Sequence, residues 1–188
     1  ATGNITSTGA FSTTGDVNLA ANITTTDTNL TIGGNLVIAE AATPTLSTGA
    51  GTAGNVTVTG TTNGTAGGVA ETLTVQAGTG TVTFTGNVGN NTDALELEAL
   101  TLTNAAATTF SGTLDLANAL TQTNAATGAT TFTGAVSVGS ASLKGTSYAI
   151  NNSFASGGTT AITNSGVITK NATGNITSTG AFSTTGDV

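Results

Sequence analysis

Residues 73–86 read LTVQAGTGTVTFTG, and this stretch decides the fold. Leu73 and Val75 alternate with polar side chains, and Val82 and Phe84 do the same after a short glycine-containing interval. Successive side chains of a β-strand point to opposite faces, so each half of the stretch has one apolar face and one polar face. The pattern therefore predicts two short strands joined by a tight turn, in which glycine supplies the backbone freedom.

The same period of two recurs along most of the chain, and β-branched or aromatic residues suit the pleated surface of a sheet. It is found in residues 56–60, 95–98, 100–103, 114–116 and 136–138. No helical period of 3.6 residues persists for three turns. We therefore predict an all-β protein with almost no helix.

A longer period lies above the strands. The tripeptide Phe-Ser/Thr-Gly occurs at 84–86, 110–112 and 132–134, so that the phenylalanines are 26 and then 22 residues apart. Periods of this size, filled with short strands, are typical of a parallel β-helix (β-solenoid) with coils of about 20–27 residues. A tandem array of β-sandwich domains is the alternative fold. Ten residues are expected to point inward and stack from coil to coil: Val82, Phe84, Leu100, Leu102, Phe110, Leu114, Leu116, Phe132, Val136 and Val138.

The chain also contains an identical duplication. Residues 1–17 and residues 172–188 both read ATGNITSTGAFSTTGDV. Seventeen identical positions indicate that residues 1–171 form one tandem repeat unit and that residues 172–188 begin the next one. With coils of 22 to 25 residues, such a unit has seven or eight coils and a length of about 35–40 Å along the axis, because stacked strands are about 4.8 Å apart.

Composition narrows the functional classes. Only 6% of the residues are charged, against roughly 25% in an average globular domain, and the net charge is −7. Two lysines, with a pI of about 4.1, disfavour nucleic-acid binding, which needs clustered cations. No apolar run reaches the roughly 20 residues of a membrane span. The regular alternation argues against disorder, and the absence of cysteine fits an extracellular bacterial protein without disulfides.

Coils of this type, rich in Thr, Asn and Gly, resemble the β-helical stalks of filamentous haemagglutinin-like and autotransporter-type bacterial surface proteins. The resemblance extends over nearly the whole chain and rests on composition and coil pattern rather than on an invariant motif. It implies a secreted, right-handed parallel β-helix at the cell surface that serves as a stalk, filament or adhesin. The identical duplication departs from this class, whose coils are usually diverged, and suggests selection for uniform length.

The inventory of reactive residues is short. The chain has no histidine and no cysteine, which excludes serine-histidine triads and Cys-His zinc sites. Four acids are the candidates that remain for a Ca²⁺ site or a carboxylate dyad: Asp93, Glu96, Glu98 and Asp115. The alternative, which we favour, is a solvated charged face that discourages lateral association. We therefore predict no enzymatic activity, no catalytic residue and no cofactor.

Two surface patterns complete the picture. Thr-x-Thr recurs at 57/59, 81/83/85, 101/103 and 121/123, which resembles the ice-binding faces of β-helical antifreeze proteins. The irregular spacing of 26 and 22 residues argues against that function, and strand propensity explains the threonines equally well. Asn-x-Ser/Thr sequons occur at Asn4, Asn22, Asn29, Asn55, Asn63, Asn90, Asn151, Asn171 and Asn175.

The sequence therefore predicts a structural segment of an extracellular filament, stalk or sheath, built from tandem β-solenoid repeats. An adhesin stalk that presents a binding tip, or an ice-binding solenoid, are the alternatives. The expected partner is the chain itself, end to end and in lateral bundles, with cell-surface or glycan contacts in addition. The expected location is extracellular or at the cell surface.

Overall fold

The protein is a parallel β-solenoid of about seven turns, seen here in a computed structural model. The structure describes residues 3–51, 54–65, 71–90, 97–123 and 128–187. Every strand pairing within these ranges is parallel, and none of these residues is helical. The predicted solenoid is confirmed. The alternative of tandem sandwich domains is wrong, because each strand pairs with the strand of the next turn rather than with an antiparallel neighbour.

Each turn passes through three faces, and the strands are numbered β1 to β22 along the chain. Face 1 contains β1 (Ile5–Ser7), β4 (Ile23–Thr25), β7 (Thr45–Ser47), β10 (Thr72–Gln76), β12 (Ala99–Asn104), β19 (Thr160–Asn164) and β22 (Phe182–Thr184). Face 2 contains β2 (Phe11–Thr13), β5 (Leu30–Ile32), β8 (Val56–Val58), β11 (Thr81–Phe84), β13 (Ala107–Phe110), β15 (Ala129–Phe132), β17 (Tyr148–Ile150) and β20 (Ile168–Lys170). Face 3 contains β3 (Val17–Leu19), β6 (Leu36–Ile38), β9 (Thr62–Asn63), β18 (Phe154–Ser156) and β21 (Ile176–Ser178).

Two long strands turn a corner of the solenoid. Both β14 (Leu114–Gln122) and β16 (Val136–Gly145) begin on face 3 and continue onto face 1 of the following turn. Their pairing shifts register between Leu116 and Ala119, where the backbone bends. These strands join faces 1 and 3 into one sheet of 11 strands, while the other two sheets have 8 and 3 strands.

A narrow apolar core runs along the axis. All ten residues that the sequence places inside are buried, with no exposed fraction above 4%. The interior is one side chain deep from each face, so Leu, Ile, Val and Phe at alternate positions suffice to fill it. This explains how a chain with few large apolar residues excludes water.

The phenylalanines of the Phe-Ser/Thr-Gly tripeptides form a column on face 2. Phe84 pairs with Phe110 and Phe110 pairs with Phe132 in the strand register. Their ring centroids are 5.4 and 5.3 Å apart, and the ring planes are nearly parallel. Phe154, on face 3, meets Phe132 edge to face at 5.5 Å. The two spacings in the sequence therefore correspond to one turn each, and the turns between strands take up the difference in length.

Asparagine side chains tie consecutive turns together just before the strands. The Asn55 Oδ1 accepts the backbone amide of Thr81 at 2.8 Å, and the Asn29 Oδ1 accepts that of Asn55 at 3.0 Å. On face 3 the Asn87 Oδ1 accepts the amide of Thr113 at 3.0 Å. An amide at this position extends the parallel ladder by one hydrogen bond beyond the strand. This accounts for much of the asparagine in the composition.

Candidate functional site

The most regular surface of the molecule lies outside the phenylalanine column on face 2. Thr57, Thr83, Thr109 and Thr131 are directly opposite one another in four consecutive strands. A second row, two residues further along, consists of Thr59, Thr85, Ser111 and Thr133. The amides of that second row donate to the carbonyls of Ile32, Val58, Phe84 and Phe110 in the preceding turns. We call these eight residues the threonine face.

The threonine face is flat because its in-between residues all point inward. Val58, Phe84, Phe110 and Phe132 separate the two rows and are buried. The first row is half-buried and the second row is exposed. Neighbouring side chains are therefore about 4.8 Å apart along the axis and roughly 6.6–6.8 Å apart along a strand. The surface is a grid of hydroxyl and methyl groups without a charged side chain.

This grid changes one interpretation of the sequence. The spacing of 26 and then 22 residues predicts that Thr-x-Thr pairs fall out of register. That prediction is wrong for this face, because Thr83 pairs with Thr109 and Thr109 with Thr131 despite the unequal turns. Turn length and strand register are independent in a solenoid, since the strands are aligned by their ladder.

The predicted carboxylate cluster is only partly within the described residues. Asp93 and Glu96 lie outside them. The Glu98 Oε1 accepts the side-chain amide of Asn118 at 3.0 Å, while Asp115 points outward from face 3 opposite Ser137. Among the residues that the structure describes, no group of three or more acids, histidines or cysteines is placed to hold a metal ion. The Ca²⁺ site stays a prediction.

Asp115 borders a shallow depression on face 3. The depression has a volume of about 330 Å³, and its polar lining includes Asn63, Asn87, Asp115 and Ser137. Asp115 is the one acid in that described lining. Hydrolysis of a glycosidic bond in the usual way needs a pair of carboxyl groups. The depression as described therefore offers amides, hydroxyls and one charge, which suits hydrogen bonding to a polar surface.

A buried polar cluster interrupts the apolar core, and sequence reasoning did not find it. Gln122 is fully buried and stands in the column below Leu102. Its Oε1 accepts the hydroxyl of Tyr148 at 3.1 Å and that of Thr130 at 3.3 Å. The alternation of Leu120, Thr121 and Gln122 does signal an inward glutamine. Its partner Tyr148 is 26 residues away, however, and only the stacking of turns brings the two together.

Glu71 is a second acid that the sequence analysis did not single out. It is only 3% exposed, and its Oε1 accepts the hydroxyl of Thr65 at 2.8 Å. Its backbone carbonyl accepts the amide of Glu98 in the next turn. Glu71 therefore has a place in the turn-to-turn ladder as well as a buried carboxylate.

The fold and its surfaces define the class of protein, which is a parallel β-solenoid with a polar exterior. Comparison with known proteins finds no matching family model, no matching curated protein and no matching solved structure. Within the described part of the chain, no helix is long and apolar enough to cross a membrane.

Proposed function

We propose that this chain is a structural segment of an extracellular filament, stalk or sheath in which tandem solenoid units continue into one another. One observation carries this proposal. The copied sequence at 172–188 stacks on the turns before it, with Ile176 opposite Phe154 and Phe182 opposite Thr160. The sequence that begins a unit is therefore also able to extend an existing stack.

The mechanism is continuous stacking. Each turn adds a set of parallel backbone hydrogen bonds along the axis, and each adds apolar side chains to the same columns of the core. Low charge reduces repulsion between neighbouring fibres, which favours lateral bundling. The role is non-catalytic, and its support is the lack of histidine and cysteine together with the scattered acids. The composition and coil pattern support a surface stalk similar to those of filamentous haemagglutinin-like and autotransporter-type proteins, including an adhesin stalk.

Electron microscopy of chains that contain several units tests this role. We expect long fibres of uniform width, with density repeating every ~4.8 Å within a unit of about 37 Å. A variant with Asp in place of Ile176 is the matched control, since it places a charge where the second copy packs on Phe154. Short separate particles from the unaltered chain would contradict the filament, and identical fibres from the variant would contradict the stacking at this junction.

The threonine face supports a second candidate function, the binding of ice. Four consecutive Thr-x-Thr or Thr-x-Ser pairs in register form a rigid, uncharged grid, which can match a partner that is itself periodic. Thermal hysteresis measures this activity. We expect Thr83→Lys and Thr109→Lys to abolish it, because a charged side chain breaks the grid. Thr101→Lys on face 1, which is equally half-buried, is the control that should retain it. No hysteresis in the unaltered chain would rule this function out.

A further inference from the structure

The two identical segments do not occupy the same faces of the solenoid. Residues 5–7 lie on face 1, where Ile5 pairs with Ile23. Their copy at 176–178 lies on face 3, where Ile176 pairs with Phe154. The same sequence therefore occupies two different sides of the molecule.

The rest of the copy is displaced in the same sense. Phe11 lies on face 2 opposite Leu30, but its counterpart Phe182 lies on face 1 opposite Thr160. The sequence at the end of the first copy is on face 3, whereas Asp187 in the second copy bridges to Val167 at the start of the face 2 strand. Each part of the copy has moved back by one face.

The local sequence allows this displacement. A three-residue strand with an apolar first residue, a polar middle residue and a small third residue fits any of the three faces, because every face has an apolar inner column. The glycine-containing turns between the strands likewise suit each corner. The face that a segment occupies is therefore set by the length of chain before it and not by its own composition.

We infer that the 171-residue unit is not a whole number of turns and that each successive unit is rotated by a third of a turn about the axis. From Ile5 to Ile176 the chain passes through seven turns and two further faces. This inference rests on the tandem array proposed above and gives it a symmetry. Three units, or 23 turns, restore the starting orientation, so the sequence repeats every ~37 Å while the surface repeats every ~110 Å.

The consequence concerns the threonine face. On face 2 in one unit, it lies on face 1 in the next unit and on face 3 in the unit after that. An array therefore presents this grid in three directions around its axis. A flat ordered partner meets the grid once in three units, whereas a bundle of neighbouring arrays meets it from all sides.

Cysteine pairs in the present chain test the rotation, because the chain has no cysteine of its own. Ala161 and Ser183 are opposite each other on the outside of face 1, and both are exposed. Adjacent strands are about 4.8 Å apart, which is within the Cα separation of a disulfide. We expect Ala161→Cys/Ser183→Cys to form an intramolecular disulfide under mild oxidation at low protein concentration.

The matched control is Thr169→Cys/Ser183→Cys. If the second copy occupied the faces of the first, Ser183 would lie on face 2 beneath Thr169, as Ser12 lies opposite Thr31. We expect this pair to oxidise at least tenfold more slowly. Ala155→Cys/Thr177→Cys, on face 3, gives an independent reading and should also form a disulfide.

The outcomes separate the rotation from the proposed function. A disulfide in the control pair, with none between positions 161 and 183, overturns the rotation and leaves a straight solenoid array intact. If none of the three pairs forms a disulfide, residues 172–188 do not stack at all. That result overturns both the rotation and the continuity on which the filament depends.

Discussion

The rings of Phe84 and Phe110 stack in adjacent turns, with centroids 5.4 Å apart and planes inclined by only 3°. The strands below them bring Phe132 into the same column, so that three consecutive turns share one aromatic stack. Phe110 is the middle ring and contacts an aromatic ring on both sides. The stability of this part of the solenoid should depend on it more than on any single aliphatic residue.

The first prediction concerns that central ring. Phe110→Ala should destabilise the chain by about 3–5 kcal/mol, because it removes a fully buried ring and leaves a cavity between two others. Phe182→Ala is the control of the same residue type, at a position that is 43% exposed, and should cost less than about 1 kcal/mol. Denaturant titration followed by circular dichroism measures both. Equal effects of the two substitutions would contradict the aromatic column.

The second prediction concerns a corner between faces 2 and 3. A Cβ added to Gly112 would lie 2.7 Å from the carbonyl oxygen of Gly86 in the preceding turn. Gly112→Ala should therefore destabilise the chain by about 1–3 kcal/mol, since backbone must move to relieve the overlap. Gly15→Ala is the control, because no atom lies within 4 Å of its added Cβ. A Gly112→Ala chain as stable as the Gly15→Ala chain would show that the turns are not so closely stacked.

The third prediction concerns the asparagine ladder. The Asn55 Oδ1 accepts hydrogen bonds from both the amide and the hydroxyl of Thr81, at 2.8 and 3.1 Å. Asn55→Ala should cost about 0.5–1.5 kcal/mol, the net value of a hydrogen bond of this kind. Asn55→Asp keeps the acceptor and should be better tolerated, as Asp16 fills the same role by accepting the amide of Asn35 at 2.7 Å. Thermal unfolding of the two variants distinguishes loss of the acceptor from loss of the amide group.

The fourth prediction is a loss of stability in alkali. Burial raises the pKa of Tyr148 above its ordinary value of 10.0, because the ionised phenolate would be desolvated in the core. The folded chain therefore holds the proton more tightly than the unfolded chain. The contribution is fully present below about pH 10 and declines as the pH rises from the unfolded pKa towards the folded one.

Tyr148→Phe is the control for this pH dependence. The chain has one tyrosine and no tryptophan, so the near-ultraviolet absorbance of tyrosinate reports on this residue alone. In the unaltered chain, ionisation and unfolding should occur together, whereas the variant should lose this component of the alkaline decline. The variant leaves the Gln122 Oε1 without its tyrosine donor and should be slightly less stable at neutral pH. Tyrosinate that forms near pH 10 in a folded chain would contradict the burial of the hydroxyl.

Much of the fold could be predicted from local patterns. The alternation in Leu100, Thr101 and Leu102 identifies the inward residues, because side-chain direction in a strand depends only on the parity of the position. The Phe-Ser/Thr-Gly spacing identifies a turn of the solenoid for a related reason, since equivalent residues must recur once per turn. Both signals are local, and no other part of the molecule can reverse them.

The surfaces could not be predicted in the same way. Whether Thr83 and Thr109 fall side by side depends on how the turns absorb extra residues, and sequence spacing alone gave the wrong answer. The pairing of Gln122 with Tyr148 depends on the same stacking. The acids illustrate a further limit, because neighbours along the chain, such as Glu98 and Asp115, have different partners on different turns.

The sequence by itself determined that this chain is a repetitive β-solenoid with an apolar interior, because period and alternation are properties of the linear chain. Only the tertiary structure decided where each segment lies around the axis. Residues 5–7 and 176–178 are identical, yet they lie on faces 1 and 3. The physical reason is that a strand pairs with whatever strand lies one turn earlier, so its position is the sum of all preceding turn lengths and is not encoded in its own residues.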